Sequence, residues 1–144
     1  MADVKVKTQI TLDKINVTKC WDKSVKRPVS EAAAKVMEKA LKRVSSLQYV
    51  KSIKPKDKGL GVSMTFTDIA YDAKKRTLAL KLEILVSKYP GPKIATTGGS
   101  PAKLMATRLD EKAALKEAPL LAGDLVDSQT KKLISVVQAL AKSL

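Results

Sequence analysis

From Val4 to Leu12 the chain reads VKVKTQITL, with Val4, Val6, Ile10 and Leu12 alternating against Lys5, Lys7, Gln9 and Thr11. Period-two alternation predicts a half-buried strand. Ile15 and Val17 are odd-numbered, so the apolar side is kept only by a bulge or a break at Asp13-Lys14. The strongest alternation lies further on. Val62, Met64 and Phe66 share a side, the phase shifts to Ile69 and Tyr71, and DAKKR supplies a turn. Leu78, Leu80, Leu82, Ile84 and Val86 then hold one face for nine residues, which predicts a long hairpin. LQYVKSI from Leu47 and KIATT from Lys93 are shorter strand candidates, and KPKDKG between Lys54 and Gly59 is an exposed turn.

The helical period appears twice. Ser30 is a candidate N-cap, after which Ala33, Val36, Met37, Ala40, Leu41 and Val44 fall on one face. Glu31 with Lys35 and Glu38 with Lys42 stand four apart in the favourable order. Near the C-terminus, LDEKAALKEAPLLAGDLV is helical up to Pro119, with Asp110 and Glu111 at its positive end. A further helix, capped by Asp127 or Ser128, carries Leu133, Val136, Val137, Leu140 and Leu144 as an apolar stripe. Strands in a meander with two amphipathic helices predict an α+β two-layer sandwich. It has about four to five mainly antiparallel strands and two or three helices packed on one face. The 144 residues form one domain, 1–144, in which 89–104 is a Pro/Gly-rich connection.

Composition narrows the chemistry. The apolar 44% is mostly aliphatic, and the charge of +14 arises from 28 basic against 14 acidic residues. Only Arg27, Arg43, Arg76 and Arg108 are arginine. Lysine is a hydrated point charge without the bidentate fork of arginine, so the charge permits polyanion binding without specifying it. Lys54, Lys56 and Lys58 are the candidate polyanion contacts. No apolar run reaches the ~20 residues of a membrane helix. The Met-Ala-Asp start lacks a signal pattern, as a chain whose signal has been removed also would.

The absence of histidine excludes a Ser-His-Asp triad, a Cys-His pair and any His-containing zinc site, and the lone Cys20 cannot build a thiolate cage. Gly98-Gly99-Ser100 runs into Pro101 where a Walker loop needs lysine, and Gly59-Leu60-Gly61 lacks the third glycine of a dinucleotide fingerprint. The carboxylates, Glu83 and Asp68 among them, are scattered. No catalytic, metal or cofactor residue is therefore assigned, no cofactor is expected, and the chain is expected not to be an enzyme. Cys20-Trp21 is expected to plug one end of the sheet, since both residue types favour burial.

Taken in order, an N-terminal strand, SEAAAKVMEKALKRV leading into LQYVKSI, the hairpin GVSMTFTDIAYDAKKRTLALKLEILV and the closing TKKLISVVQALAKSL resemble one known domain. It is the α+β domain shared by the CsgG, TolB N-terminal and LpoB-like envelope proteins of Gram-negative bacteria. The resemblance covers most of the chain and rests on element order and apolar spacing, so it transfers no functional residue. It implies a periplasmic or secreted module that recognises a protein partner through loops and an exposed strand edge. Lys74, Lys75, Arg76, Tyr89 and Lys93 are the expected partner contacts. The alternative is a lysine-rich cytoplasmic protein that binds nucleic acid or another polyanion non-specifically.

Overall fold

The computed structural model describes residues 8–54, 57–89, 93–97 and 102–142. Strand β1 (Thr8–Val17) is followed by a 3-10 turn (Lys23–Val25), helix α1 (Lys26–Lys42) and strand β2 (Leu47–Tyr49). Strands β3 (Gly59–Asp72) and β4 (Thr77–Tyr89) form the hairpin, β5 (Lys93–Thr97) and β6 (Ala102–Ala106) follow, and helix α2 spans Glu111–Lys142. The strands form one sheet in the order β2-β1-β3-β4-β5, with β6 on the lower half of β4. The α+β sandwich therefore holds. Its sheet is mixed, because β1 runs parallel to both neighbours, β2 and β3, while β4 is antiparallel to β3, β5 and β6.

The two predicted phase shifts are both bulges. Pairing of β1 with β3 skips Asp13, between Leu12 and Lys14. Pairing of β3 with β4 skips Thr67, between Phe66 and Asp68. Each extra residue returns the next apolar side chain to the same face. As a result Leu60, Val62, Met64, Phe66 and Ile69 of β3 lie beside Leu78, Leu80, Leu82, Ile84 and Val86 of β4, all buried. Both helices cover this face. Val29, Ala33, Met37 and Leu41 of α1 and Ala114, Ala118, Ala122, Val126, Leu133 and Val137 of α2 are fully buried in the same core.

The helix boundaries differ from the pattern. Ser30 is not a cap: α1 begins at Lys26, continuing from a 3-10 turn whose N-cap, Asp22, accepts the Ser24 amide at 2.9 Å. Pro28 falls in the first turn of α1, where a missing amide costs nothing because no carbonyl precedes it in the helix. The C-terminal helices are one. α2 runs through Pro119 and past Asp127 and Ser128, whose neighbours are bonded within the helix. An internal proline costs about 3 kcal/mol in an isolated helix. Here Ala114, Ala118, Leu121, Ala122, Leu125 and Val126 stay buried in unbroken phase across it, and that burial outweighs the lost bond. Asp110 caps α2, accepting the Ala113 amide at 2.7 Å.

The expected connection 89–104 also changes. Tyr89 ends β4, and β5 and β6 occupy Lys93–Thr97 and Ala102–Ala106, each pairing with β4. Val4 and Val6 of the predicted first strand, and the Gly91 and Gly98-Gly99-Ser100 turns, lie outside the described residues.

Gly59 and Gly61 are explained by close approach rather than by turning. A Cβ on Gly59 would stand 2.6 Å from Ile53 Cδ1 and 2.9 Å from the Gln9 carbonyl oxygen. A Cβ on Gly61 would meet the Asp13 carboxylate and, at 3.0 Å, the Tyr89 ring. On α2, by contrast, a Cβ on Gly123 would touch Val36 at an ordinary 3.4 Å. Urea unfolding should therefore separate two alanine substitutions. Gly59→Ala is expected to destabilise by about 1–3 kcal/mol through overpacking against backbone. Gly123→Ala should be neutral or stabilise by up to about 1 kcal/mol through helix propensity.

Candidate interaction surfaces

The expected partner contacts fall at two ends of the sheet. Register pairs Gly59 with Tyr89 at one end and Asp72 with Thr77 at the other, so the hairpin is about 40 Å long at ~3.3 Å per residue. Lys74, Lys75 and Arg76 are exposed at the hairpin tip. Tyr89 lies at the opposite end with Lys93, which pairs with Lys88 through the backbone and whose side chain lies outside the described residues. Lys54 and Lys58 are exposed just before β3, at the Tyr89 end, and Lys56 lies outside the described residues. The described candidate contacts thus fall at two separate ends of the sheet rather than on one surface.

The tip is rigidly built. The Asp72 carboxylate accepts the amides of Lys74 and Lys75 at 3.0 and 3.2 Å, fixing the turn. Arg76 has φ 56°, the left-handed conformation that closes the hairpin. Its carbonyl accepts the Leu109 amide at 3.0 Å, and the Leu109 carbonyl accepts the Tyr71 hydroxyl at 2.7 Å. The tip is therefore anchored to the chain entering α2, and its three basic side chains project from a fixed frame.

Trp21 stacks against the same region, its ring centroid 6.0 Å from that of Tyr71. The segment after β1 continues to follow β3: Thr18 donates to the Phe66 carbonyl, Trp21 to the Ile69 carbonyl, and Ile69 to the Lys19 carbonyl. Cys20 donates its thiol hydrogen to the Asp22 carbonyl at 3.0 Å, and burial pushes the thiol above its ordinary pKa. A raised pKa lowers the thiolate fraction, so this is a packed thiol and not an activated one.

At the opposite end, two segments close over the face of the sheet that the helices leave open. Ile53 is buried against Gly59, and the Thr11 hydroxyl donates to the Lys51 carbonyl at 3.1 Å. Tyr89 lies over Gly61 and donates its hydroxyl to Asp13 at 2.7 Å, joining the end of β4 to the bulge of β1 across β3. Sequence reading named Tyr89 but missed Asp13. The phase flip at Asp13 was visible, but nothing local indicates which side chain 76 positions away would meet the bulge.

The third feature is an edge. β2 covers β1 only from Thr8 to Ile10, and no described strand pairs with the outer side of β1 from Leu12 to Val17. Because the Thr18 amide points to β3, strand alternation turns the Ile15 and Val17 amides outward. Lys14 and Asn16, which alternate with them along the strand, are exposed. Among the described residues no group of three Asp, Glu, Cys or His side chains is placed to hold a metal, and no helix is long and apolar enough to cross a membrane. Glu83 and Asp68 lie on the open face, paired by register with Thr65 and Lys81 respectively.

The pKa of Tyr89 is pushed up to about 12, first by burial and then by its hydrogen bond to Asp13. A folded-state pKa above the unfolded value near 10 means that this contribution to stability is complete below pH ~10 and is lost as pH rises toward 12. An ultraviolet phenolate titration should show Tyr89 ionising late, and Asp13→Asn, which removes the charged partner but not the burial, should bring that step part of the way back toward 10. A late step unchanged by Asp13→Asn would remove the assigned link.

No protein-family model matches the chain, and no curated protein is significantly similar to it. Solved structures are similar in fold. A protein of Xanthomonas campestris from a family of unknown function superposes with a TM-score of 0.58 at 8% identity, over 94% of this chain and 89% of that one. A hypothetical protein of Chlamydia trachomatis gives 0.57 at 7% identity, over 96% and 100%. A candidate lipoprotein of Caulobacter crescentus gives 0.50 at 8% identity, over 90% and 92%. At these identities the likeness is one of fold.

Proposed function

We propose that this chain is a non-enzymatic binding or assembly module of the bacterial cell envelope, periplasmic or secreted, that recognises a protein partner by strand addition. The observation that carries the reading is the β1 edge from Leu12 to Val17, along which no described strand pairs and whose outward Ile15 and Val17 amides bond to no backbone group among the described residues, the arrangement that templates an incoming strand. The fold likeness to the Caulobacter candidate lipoprotein supports the envelope assignment. So does the resemblance of its element order to the CsgG, TolB N-terminal and LpoB-like domain. The rigid basic tip, Lys74, Lys75 and Arg76, is the steering surface in this reading, since charges at a rim chiefly raise the association rate.

Polyanion binding is the competing reading, and the separation of Lys54 and Lys58 from Lys74, Lys75 and Arg76 argues against a single phosphate-tracking surface through these candidate contacts. Val17→Pro removes one outward amide and no bond to β3, so the fold should survive by circular dichroism. The intact chain is expected to retain a discrete protein from the envelope fraction of its native host, and Val17→Pro to lose it. Binding to duplex DNA should stay weak between about 50 and 200 mM salt. Tight DNA binding that falls on the order of 10³-fold over that range would establish the polyanion reading instead.

A further inference from the structure

The outer surface of the helix pair has features that neither the β1 edge nor the basic tip uses. A groove of about 460 Å³ runs between α1 and α2 on the side away from the sheet. Small residues line it: Gly123 passes close to Val36, with Ala32 and Ala40 beside them on α1. One wall is basic, with Lys35, Lys39 and Arg43 at successive four-residue steps of α1. The other is acidic, with Asp124 and Asp127 on α2. All five are exposed, and the two ion pairs among the described residues, Arg27 with Glu31 and Lys42 with Glu38, use none of them. Leu120 lines the groove with 63% of its surface exposed, and with Met105 of β6 it is one of two exposed large apolar side chains among the described residues.

This combination points to one occupant. The chain as a whole carries +14, yet the groove carries three positive against two negative charges, so here a copy of the chain meets little net repulsion. An acidic partner helix would satisfy the basic wall and be repelled by Asp124 and Asp127; a basic one would do the reverse. A surface with both signs in separate rows is complementary to itself when rotated by a two-fold axis. We infer that the α1/α2 groove is a homodimer interface. The basic row of each copy faces the acidic pair of the other, and each Leu120 enters the small-residue groove of its partner. Symmetry doubles every contact, so two basic rows and two Leu120 side chains serve one interface.

Sedimentation equilibrium at about 0.1 mM chain, where a micromolar Kd is saturated, tests this. The unaltered chain should give the mass of two chains. Lys35→Glu/Lys39→Glu and Asp124→Lys/Asp127→Lys each place like charges across the interface and should each give the mass of one. Mixed in equal amounts they should recover the two-chain mass, because the groove of the first, with Arg43 as its one remaining base, matches the all-basic groove of the second. Leu120→Glu, at a site too exposed to endanger the fold, should also give one chain. A single-chain mass for the unaltered protein would overturn the inference, as would a dimer unaffected by the reversals or a mixture that stays monomeric. The β1 edge is not involved, so these outcomes are independent of strand addition.

Discussion

Side chains of an extended strand alternate with a period of two, so a long strand can keep one face buried only while its apolar residues stay in phase. In this sheet two long strands fall out of phase once each, and the rest of the structure depends on how that is absorbed. The bulges at Asp13 and Thr67 insert one residue apiece. Without the second, Ile69 would turn to the open face while Phe66 stayed under the helices, and the hairpin would split its apolar residues between two sides. With both, one continuous surface from Ile10 to Val86 is available to α1 and α2.

The bulges have consequences beyond packing. The residue skipped at Asp13 lies next to Gly61, where the absence of a side chain lets the carboxylate and the Tyr89 ring approach. The interruption at Thr67 is followed closely by Ile69, whose amide and carbonyl hold Lys19 and Trp21 beside β3 after β1 has ended. In this way the irregular positions of the sheet hold its ends together, while its regular middle supplies the core. The tip is fixed similarly, by Tyr71 and Arg76 bonding to Leu109 at the entrance to α2. The basic tip is therefore presented by anchored backbone, and the part of the β1 edge that no described strand covers starts beside the Asp13 bulge.

The elements written in apolar spacing were legible. β1, β3, β4 and α1 each carry enough periodic positions for burial to dominate local preference, and even the skipped residues could be placed to within a residue or two. The errors lie where local and tertiary signals conflict. Pro119 reads as a helix stop because its cost is local, whereas the burial that carries α2 past it comes from the sheet. Ser30 reads as a cap, but α1 grows from the 3-10 turn that Asp22 initiates eight residues earlier. β6 was hidden among turn residues, since Ala102–Ala106 has little strand pattern of its own and is held by pairing with Leu78–Leu82.

The sequence by itself determined the fold class, the aliphatic core and the absence of histidine chemistry, because burial periodicity and residue chemistry are properties of the chain read locally. Tertiary structure alone decided that β1 runs parallel to both neighbours, that Tyr89 meets Asp13 and that the basic hairpin tip lies at the opposite end of the sheet from Lys54 and Lys58. It also placed opposite charges on the two walls of one groove. The physical reason is sequence separation. These relations join residues tens of positions apart, and which distant segments become neighbours is set by how two helices and six strands together exclude water.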